Sequence, residues 1–480
     1  MNAAISRIDG MLHVGQRTVW VLVLLGFVGL AAMVAAATRI QMLPLGLGAA
    51  IGAVVVAVSF RWPILGLAAF AGLIPIEGVL LIDGVGTVSR FAGILFAATY
   101  GVPRIGRLAF GAMPTAGWAM LAWTIVSVGW AINPDTAVGQ LFTLIQLFVI
   151  AMLIADFVIH QPEIVRPILW VYSISAALTS VIGIGAYLGT DARTAALEGQ
   201  NPAQFAAVLL PALVFGAYEM FNRERRILGG AIAFITTLGI LVSGTRGAWL
   251  AIAVVLPIFV LPNLAPRRRI AAIVGVVVVG FLALQIPGIA ALSIDRIESA
   301  LSTGGAGRTD IWAVAGTIFA AHPVLGVGYA NFPVAYTPDV VRASGVAFYT
   351  HSGAAPHNLV VGTLVELGPL GLLLTGLFLG PLFVRRGWGA EGSTIQAALA
   401  ALLVLSLFLD MLANHKELWL IIGLAAGLAY RARATNSEEE IGDRVGILSG
   451  SVPEPRPHPA LIARGVSVRP ATRSGPSPTG

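Results

Sequence analysis

Of the 480 residues 57% are hydrophobic and only 11% are charged, and the mean hydropathy is +0.87. These values lie outside the range of soluble globular domains and define an all-α polytopic membrane protein. The net charge of +6 does not point to nucleic acid, because the basic residues are scattered through short loops where they serve orientation. The absence of cysteine excludes disulfides, thiolate metal sites and a cysteine nucleophile.

A membrane span takes roughly 20 apolar residues. Fourteen candidates are centred near residues 28, 50, 72, 96, 122, 149, 177, 211, 235, 255, 278, 370, 403 and 424. Several are short or interrupted by glycine, so the expectation is about 12–14 transmembrane helices. In chain order, residues 1–17 form a cytoplasmic N-terminus and 18–286 a transmembrane block. The first apolar stretch, Thr18 to Thr38, ends in AAMVAAAT, which mimics a signal-peptide cleavage site, but its 21 residues favour a retained span. A large extracytoplasmic loop carrying short helices covers 287–356, further transmembrane helices cover 357–430, and a disordered cytoplasmic tail rich in Pro, Ser, Arg and Glu covers 431–480. With both termini inside, alternation of the spans puts 21 of the 29 basic residues in the cytoplasm, the asymmetry that orients membrane chains.

Connections are short except the loop 287–356, whose length marks it as functional. It carries an amphipathic stretch, Asp310 to Ala321, with Ile311, Trp312, Ala315, Ile318 and Phe319 on one face and Thr309 as its N-cap candidate. That apolar face is expected to lie on the membrane mouth.

The same topology leaves a small ionisable set on the outer face: Arg90, Arg193, Arg246, Arg308, Arg342, His322, His351, His357 and Lys416. Arg246 lies in SGTRGAW, between two spans joined with almost no loop. Arg308 follows GGAG and opens the amphipathic helix, and Arg193 precedes LEGQNPAQFA. A guanidinium matches a phosphate with two parallel hydrogen bonds and stays charged near a low-dielectric surface, so a group of them suits a diphosphate. The competing reading is that each arginine snorkels to lipid headgroups or pairs with Asp295, Glu298 or Asp310.

His357 begins HNLVVGTLVELGPLG, at the mouth of an apolar helix. An imidazole near the positive end of a helix has its pKa lowered, which favours the neutral form a general base needs. The competing reading is a cap or interface histidine above glycines that permit close helix packing. Glu366, nine residues on and about 13 Å deeper on an ideal helix, reads as a buried structural partner. No Asp-x-Asp pair and no His-Glu-x-x-His occurs, so no metal site and no cofactor is expected and arginine has to neutralise any diphosphate.

The ordered set SGTRGAW, GRTDIW with AAHPVLGVGYANF, and PHNLVVGTLVELGPLG resembles the O-antigen ligase and O-antigen polymerase superfamily. Its pattern of His-Asn, nine residues, then Gly-x-x-Gly is met by His357, Asn358, Gly368 and Gly371. WAINPDTA and GQNPAQFA also look like family elements, with Ala203 and Gln204 departing from the usual Asn after Pro202. The resemblance covers roughly Ser127 to Leu374 and does not separate ligases from polymerases. It implies metal-independent, inverting transfer of a glycan from undecaprenyl diphosphate to an acceptor hydroxyl, at the outer face of the bacterial cytoplasmic membrane. The acceptor stays open among lipid A core, a second lipid-linked glycan and a protein hydroxyl, with lipopolysaccharide or exopolysaccharide of the cell envelope as the expected product for the first two. By the same resemblance Arg246 and Arg308 bind and stabilise the diphosphate and His357 deprotonates the acceptor. Arg193 and Asn358 are carried over as substrate-binding positions. The rival from another class is a polytopic transporter or flippase for a lipid-linked glycan. Such proteins usually carry ionisable residues near the bilayer midplane, whereas here the charges gather at the surfaces.

Overall fold

The computed structural model describes residues 55–77, 81–82, 86–190, 201–222, 225–285, 307–346, 351–384 and 389–448, with isolated positions between 288 and 298. The helices are α1 (Pro63–Leu73), α2 (Val88–Phe96), α3 (Thr115–Ser127), α4 (Pro134–His160), α5 (Val165–Thr190), α6 (Pro202–Asn222), α7 (Arg226–Val242), α8 (Arg246–Val255) and α9 (Pro266–Leu284). The long loop contributes α10 (Arg308–Ala321), α11 (Phe332–Ala335) and α12 (Pro338–Ala343). There follow α13 (Leu359–Leu379), α14 (Pro381–Val384), α15 (Gly389–Ser406) and α16 (Lys416–Leu448). A two-residue ladder, Leu81–Ile82 against Gly86–Thr87, closes the turn between α1 and α2.

The protein is an all-α polytopic membrane protein. Four helical stretches are long and apolar enough to cross a membrane: Pro134–His160, Pro162–Gly189, Pro202–Phe221 and Leu359–Phe383. Shorter apolar helices accompany them at Pro63–Leu73, Arg226–Val242, Arg246–Val260 and Glu391–Ser406. Of the span centres read from the sequence, those at 28 and 50 lie outside the described residues, and each of the others falls within a helix.

α4 starts where its sequence says it should. Asn133 caps α4 by accepting the Thr136 N–H at 3.2 Å, and Pro134 takes the first helical position, where its missing N–H costs nothing. α4 runs through the core with Phe148, Ile154, Ala155 and Val158 fully buried. Without a hydrophobic force between spans, close backbone approach has to supply the packing. Gly423 and Gly427 of α16, four residues apart, lie on the carbonyls of Ala151 and Ala155 of α4, where a Cβ would come within 2.7 Å. Gly216 and Gly229 face each other in the same way across α6 and α7. At the C-terminal end of α4, Asp156 accepts from Tyr100 Oη at 2.5 Å, Arg104 Nε at 3.2 Å and Ala109 N at 2.8 Å. Arg166 makes a bidentate pair with Glu219, at 2.9 and 2.8 Å, joining the start of α5 to the end of α6.

Two compact units divide at Arg431/Ala432, and all the candidate residues lie in the first. The last helix continues to Leu448, although the sequence placed the end of the final span near Tyr430 with a non-periodic tail after it. Ala, Arg and Glu are strong helix formers that need no apolar face to propagate a helix already begun. The rest of the tail, 449–480, and the N-terminal segment 1–54 lie outside the described residues.

Candidate active site

Arg246 opens α8 after a turn of three residues. Gly244 takes a left-handed φ of 60°, and the Thr245 N–H donates to Ser243 Oγ at 3.2 Å. Thr245 Oγ1 donates to the Pro202 carbonyl at 3.2 Å, which binds the turn to the start of α6. There Asn201 Oδ1 accepts the Ala203 N–H at 2.9 Å. The side chain of Arg246 is half-buried. Its neighbour Gly247 packs on Phe408 and Leu405, where a Cβ would stand 3.0 Å from each.

Phe408 also receives Arg308. The Arg308 Nη2 donates to the Phe408 carbonyl at 3.0 Å, and its guanidinium lies over the Phe408 ring, 5.4 Å from the centroid. α10 begins at Arg308 itself, because Gly307 at φ 80° forms the turn before it. Thr309, expected as the N-cap, therefore sits inside the first turn. The apolar face of α10, expected to lie on the membrane mouth, is completed by Val314 and closes a small core with Val327, Phe332 and Val365.

His357 stands at the start of α13 in a left-handed conformation, φ 47°, which is uncommon for a residue with a side chain. Asn358 follows as the N-cap, its Oδ1 accepting the N–H groups of Val360 at 2.9 Å and Val361 at 3.1 Å. Trp312 of α10 donates its indole N–H to the Pro356 carbonyl at 3.2 Å, and Pro356 packs into the space left by Gly362. Burial, and then the positive charge of Arg308, hold the His357 imidazole below its ordinary value of 6.5. Arg308 thus acts on His357 electrostatically, and Gly247, the neighbour of Arg246, packs on the same Phe408 that holds Arg308.

α13 is two helices joined at a break. Gly368 has φ 70° and ψ −176°, and Pro369 starts the second part. The break frees three carbonyls, all of which are taken: Val365 by Val327 N, Glu366 by Gly328 N and Leu367 by Trp123 Nε1, each at 2.9 Å. A continuous span below His357, the natural reading of its hydropathy, is thereby replaced by a half-helix ending at an interior turn. A Cβ at Gly368 would collide with the Val324 carbonyl. Gly368→Ala is therefore expected to destabilise the protein by about 3 kcal/mol or more, from the forbidden φ and the clash together. Thermal unfolding of the detergent-solubilised protein should show a clear fall in Tm, while Gly376→Ala, with open space around it, should leave it unchanged.

Among the described residues, the other members of the outer set are placed elsewhere. Arg342 pairs with Asp339 on α12 and is exposed. Arg90, His322 and His351 are exposed. Lys416 pairs with Glu77 and donates to Thr87 Oγ1 at 2.7 Å and Ser89 Oγ at 3.0 Å, tying α16 to the turn after α1. Arg193 lies outside the described residues. The sequence reading passed over Asp410 and His415 in the loop leading into α16 and Glu417 in its first turn. His415 Nδ1 lies 2.6 Å from Glu417 Oε1. Burial opposes its charge, yet the neighbouring carboxylates of Glu417, Asp410 and Glu77 hold its pKa above the ordinary histidine value. Three ionisable residues in NHKELW, at the mouth of a span, were the available signal. Among the described residues no group of three His, Asp or Glu side chains is arranged to hold a metal ion.

The fold and this cluster define a polytopic membrane protein with arginine and histidine gathered at one end of its helical bundle. Residues 231–376 match the family described as O-antigen ligase, and that match supports an assignment to the O-antigen ligase and polymerase superfamily. The matched segment contains Arg246, Arg308, His357, Asn358 and Glu366. A search of curated proteins gave no match.

Proposed function

We propose that this protein is an integral membrane glycosyltransferase of the bacterial inner membrane, using an undecaprenyl-diphosphate-linked glycan as donor. The acceptor is a hydroxyl of lipid A core or of a second lipid-linked glycan, reached on the periplasmic side. The observation that carries this reading is Arg308 seated on Phe408 and acting on the His357 imidazole, while Gly247, next to Arg246, packs on the same Phe408. The distribution of basic residues supports the periplasmic orientation of that end.

In the proposed step the acceptor oxygen attacks the anomeric carbon from the face opposite the diphosphate, with inversion. A new carbon–oxygen bond forms as the bond to the diphosphate oxygen breaks, and undecaprenyl diphosphate leaves. His357 takes the acceptor proton. Arg246 and Arg308 hold the diphosphate and meet its growing negative charge, an interaction that strengthens toward the transition state. Arg193 serves as a further donor contact. Asn358 orients the base by capping the half-helix that carries it.

A general base must be neutral, so the lowered pKa of His357 sets the sign of the pH dependence. The rate is expected to fall only as pH drops through a value below 6.5, and to be level above pH 7. A kcat/KM profile with its acid limb above 6.5 would contradict the assignment. Arginine neutralises the diphosphate without a metal. Purified protein assayed with the lipid-linked donor in excess EDTA is accordingly expected to keep most of its rate; complete loss, restored by Mg²⁺ or Mn²⁺, would rule the mechanism out.

The flippase reading gains one observation from the structure, since broken helices line the substrate sites of many transporters. In those proteins the freed carbonyls coordinate cargo. Here the three freed by the Gly368 break are satisfied by Val327, Gly328 and Trp123, which favours a structural turn. Vesicles containing the wild-type protein decide the matter: covalent attachment of glycan to acceptor with release of undecaprenyl diphosphate supports the enzyme. Movement of the lipid-linked glycan across the bilayer, with no covalent product, overturns it.

A further inference from the structure

His357 stands just ahead of the first half-helix of α13, and Glu366 lies near that half-helix's end. Glu366 is buried, and both carboxylate oxygens accept from the backbone of one turn, Oε2 from Ala330 N at 2.9 Å and Oε1 from Phe332 N at 3.0 Å. That turn is strained, because Ala330 has φ 58°, a region alanine avoids. A strained turn persists only where its surroundings over-determine it; Ser127 Oγ accepts the Tyr329 N–H at 3.2 Å, and Glu366 is the side chain that binds the turn at two donors, Ala330 N and Phe332 N.

The same turn is laid on the helix break. Val327 N and Gly328 N reach the carbonyls of Val365 and Glu366, and Gly326, at φ 71°, passes so close that a Cβ would stand 2.5 Å from the Val365 carbonyl. On its far side the turn joins the small core that seats Ile311, Val314 and Ile318 of α10 against Phe332 and Val365. It is also fixed to the start of α4, where Asn133 N donates to Asn331 Oδ1 at 2.6 Å and Asn331 Nδ2 returns a bond to the Asn133 carbonyl at 3.3 Å. The Arg308-bearing helix and the His357-bearing half-helix therefore meet through this turn.

We propose that Glu366 is a positioning residue for glycan transfer, its carboxylate clamping the Ala330–Phe332 turn so that α10 holds Arg308 at a fixed distance from His357. The assignment rests on the functional reading above for its effect on rate, but the clamp itself is a statement about geometry. Glu366 touches no reacting atom. Loosening it changes the spacing of two groups that do, and misplacement on the ångström scale costs about 10²-fold in rate.

Glu366→Gln keeps the shape but turns an amide N–H₂ toward a backbone donor, so one of the two bonds is lost. Glu366→Asp keeps both acceptors on a shorter arm and serves if the glutamine variant fails to fold. Two readouts separate positioning from mere folding. In the transfer assay the folded variant is expected to lose about 10- to 100-fold in kcat while donor KM changes little. The acid limb of its pH profile should move up toward 6.5 as Arg308 recedes from His357. Independently of activity, spin labels on Ala313→Cys and Val360→Cys in this cysteine-free chain should report a narrow distance between α10 and the half-helix, broadened by the Glu366 substitution. A wild-type distance distribution in a folded Glu366 variant overturns the clamp. Failure of the wild type to transfer glycan overturns the functional reading instead, and the distance measurement still decides the clamp.

Discussion

Replacing His357 by alanine is expected to lower glycan transfer by about 10²- to 10⁴-fold, the range a general base contributes. The protein should still fold, insert and bind donor. The imidazole is half-buried in a loop residue ahead of α13, so its removal opens no deep cavity. The cap on the half-helix belongs to Asn358 and the seat on α10 to the Pro356 carbonyl, and neither uses the imidazole. A single-turnover assay with radiolabelled lipid-linked donor and a separate donor-binding measurement distinguish the effects. Loss of turnover with retained binding is the expected pattern; wild-type turnover would remove His357 from the chemistry. The products of the wild type also assign the subclass. A ladder on the lipid carrier identifies a polymerase, and one transfer to core oligosaccharide identifies a ligase.

Arg308→Lys is expected to be nearly as damaging as Arg308→Ala, with transfer falling by about 10²-fold or more, the scale on which loss of a single transition-state donor acts. Lysine keeps the charge but cannot donate to the Phe408 carbonyl and lie flat over its ring while presenting further N–H groups to a diphosphate. Arg246→Lys should behave in the same way for loss of bidentate geometry. Both variants should weaken donor binding as well as turnover, unlike His357→Ala. Near wild-type turnover in two well-folded lysine variants would make these arginines generic interfacial charges that serve lipid headgroups.

Much of the cluster was legible because ionisable residues in an apolar chain are few and costly. Arg246, Arg308 and His357 could be selected by their places at helix mouths, and α8, α10 and α13 begin at or beside each of them. The two short polar motifs around Asn133 and Asn201 were also visible, each leading into a helix with a proline at its first position. Asp410 and His415 escaped because their significance lies in who faces them. Glu417 is near in sequence to His415, but Glu77, tied to the same loop through Lys416, comes from a distant helix turn.

The amino-acid sequence by itself determined the class of protein, the places of the apolar helices among the described residues and the charged groups available for chemistry. Hydropathy, proline, capping residues and charge act locally, over one or two helical turns, and can be read without knowing the partners. Only the tertiary structure decided that α13 is broken, that α10 turns its apolar face to its own small core, and that Glu366 fastens a strained turn. Each of these depends on backbone groups from residues far apart in the chain: Val324 over Gly368, Val327 and Gly328 on the freed carbonyls, and Ala330 and Phe332 on Glu366. A backbone donor carries no signature in its residue type. Where it finds its acceptor is therefore settled by packing, after the helices have formed.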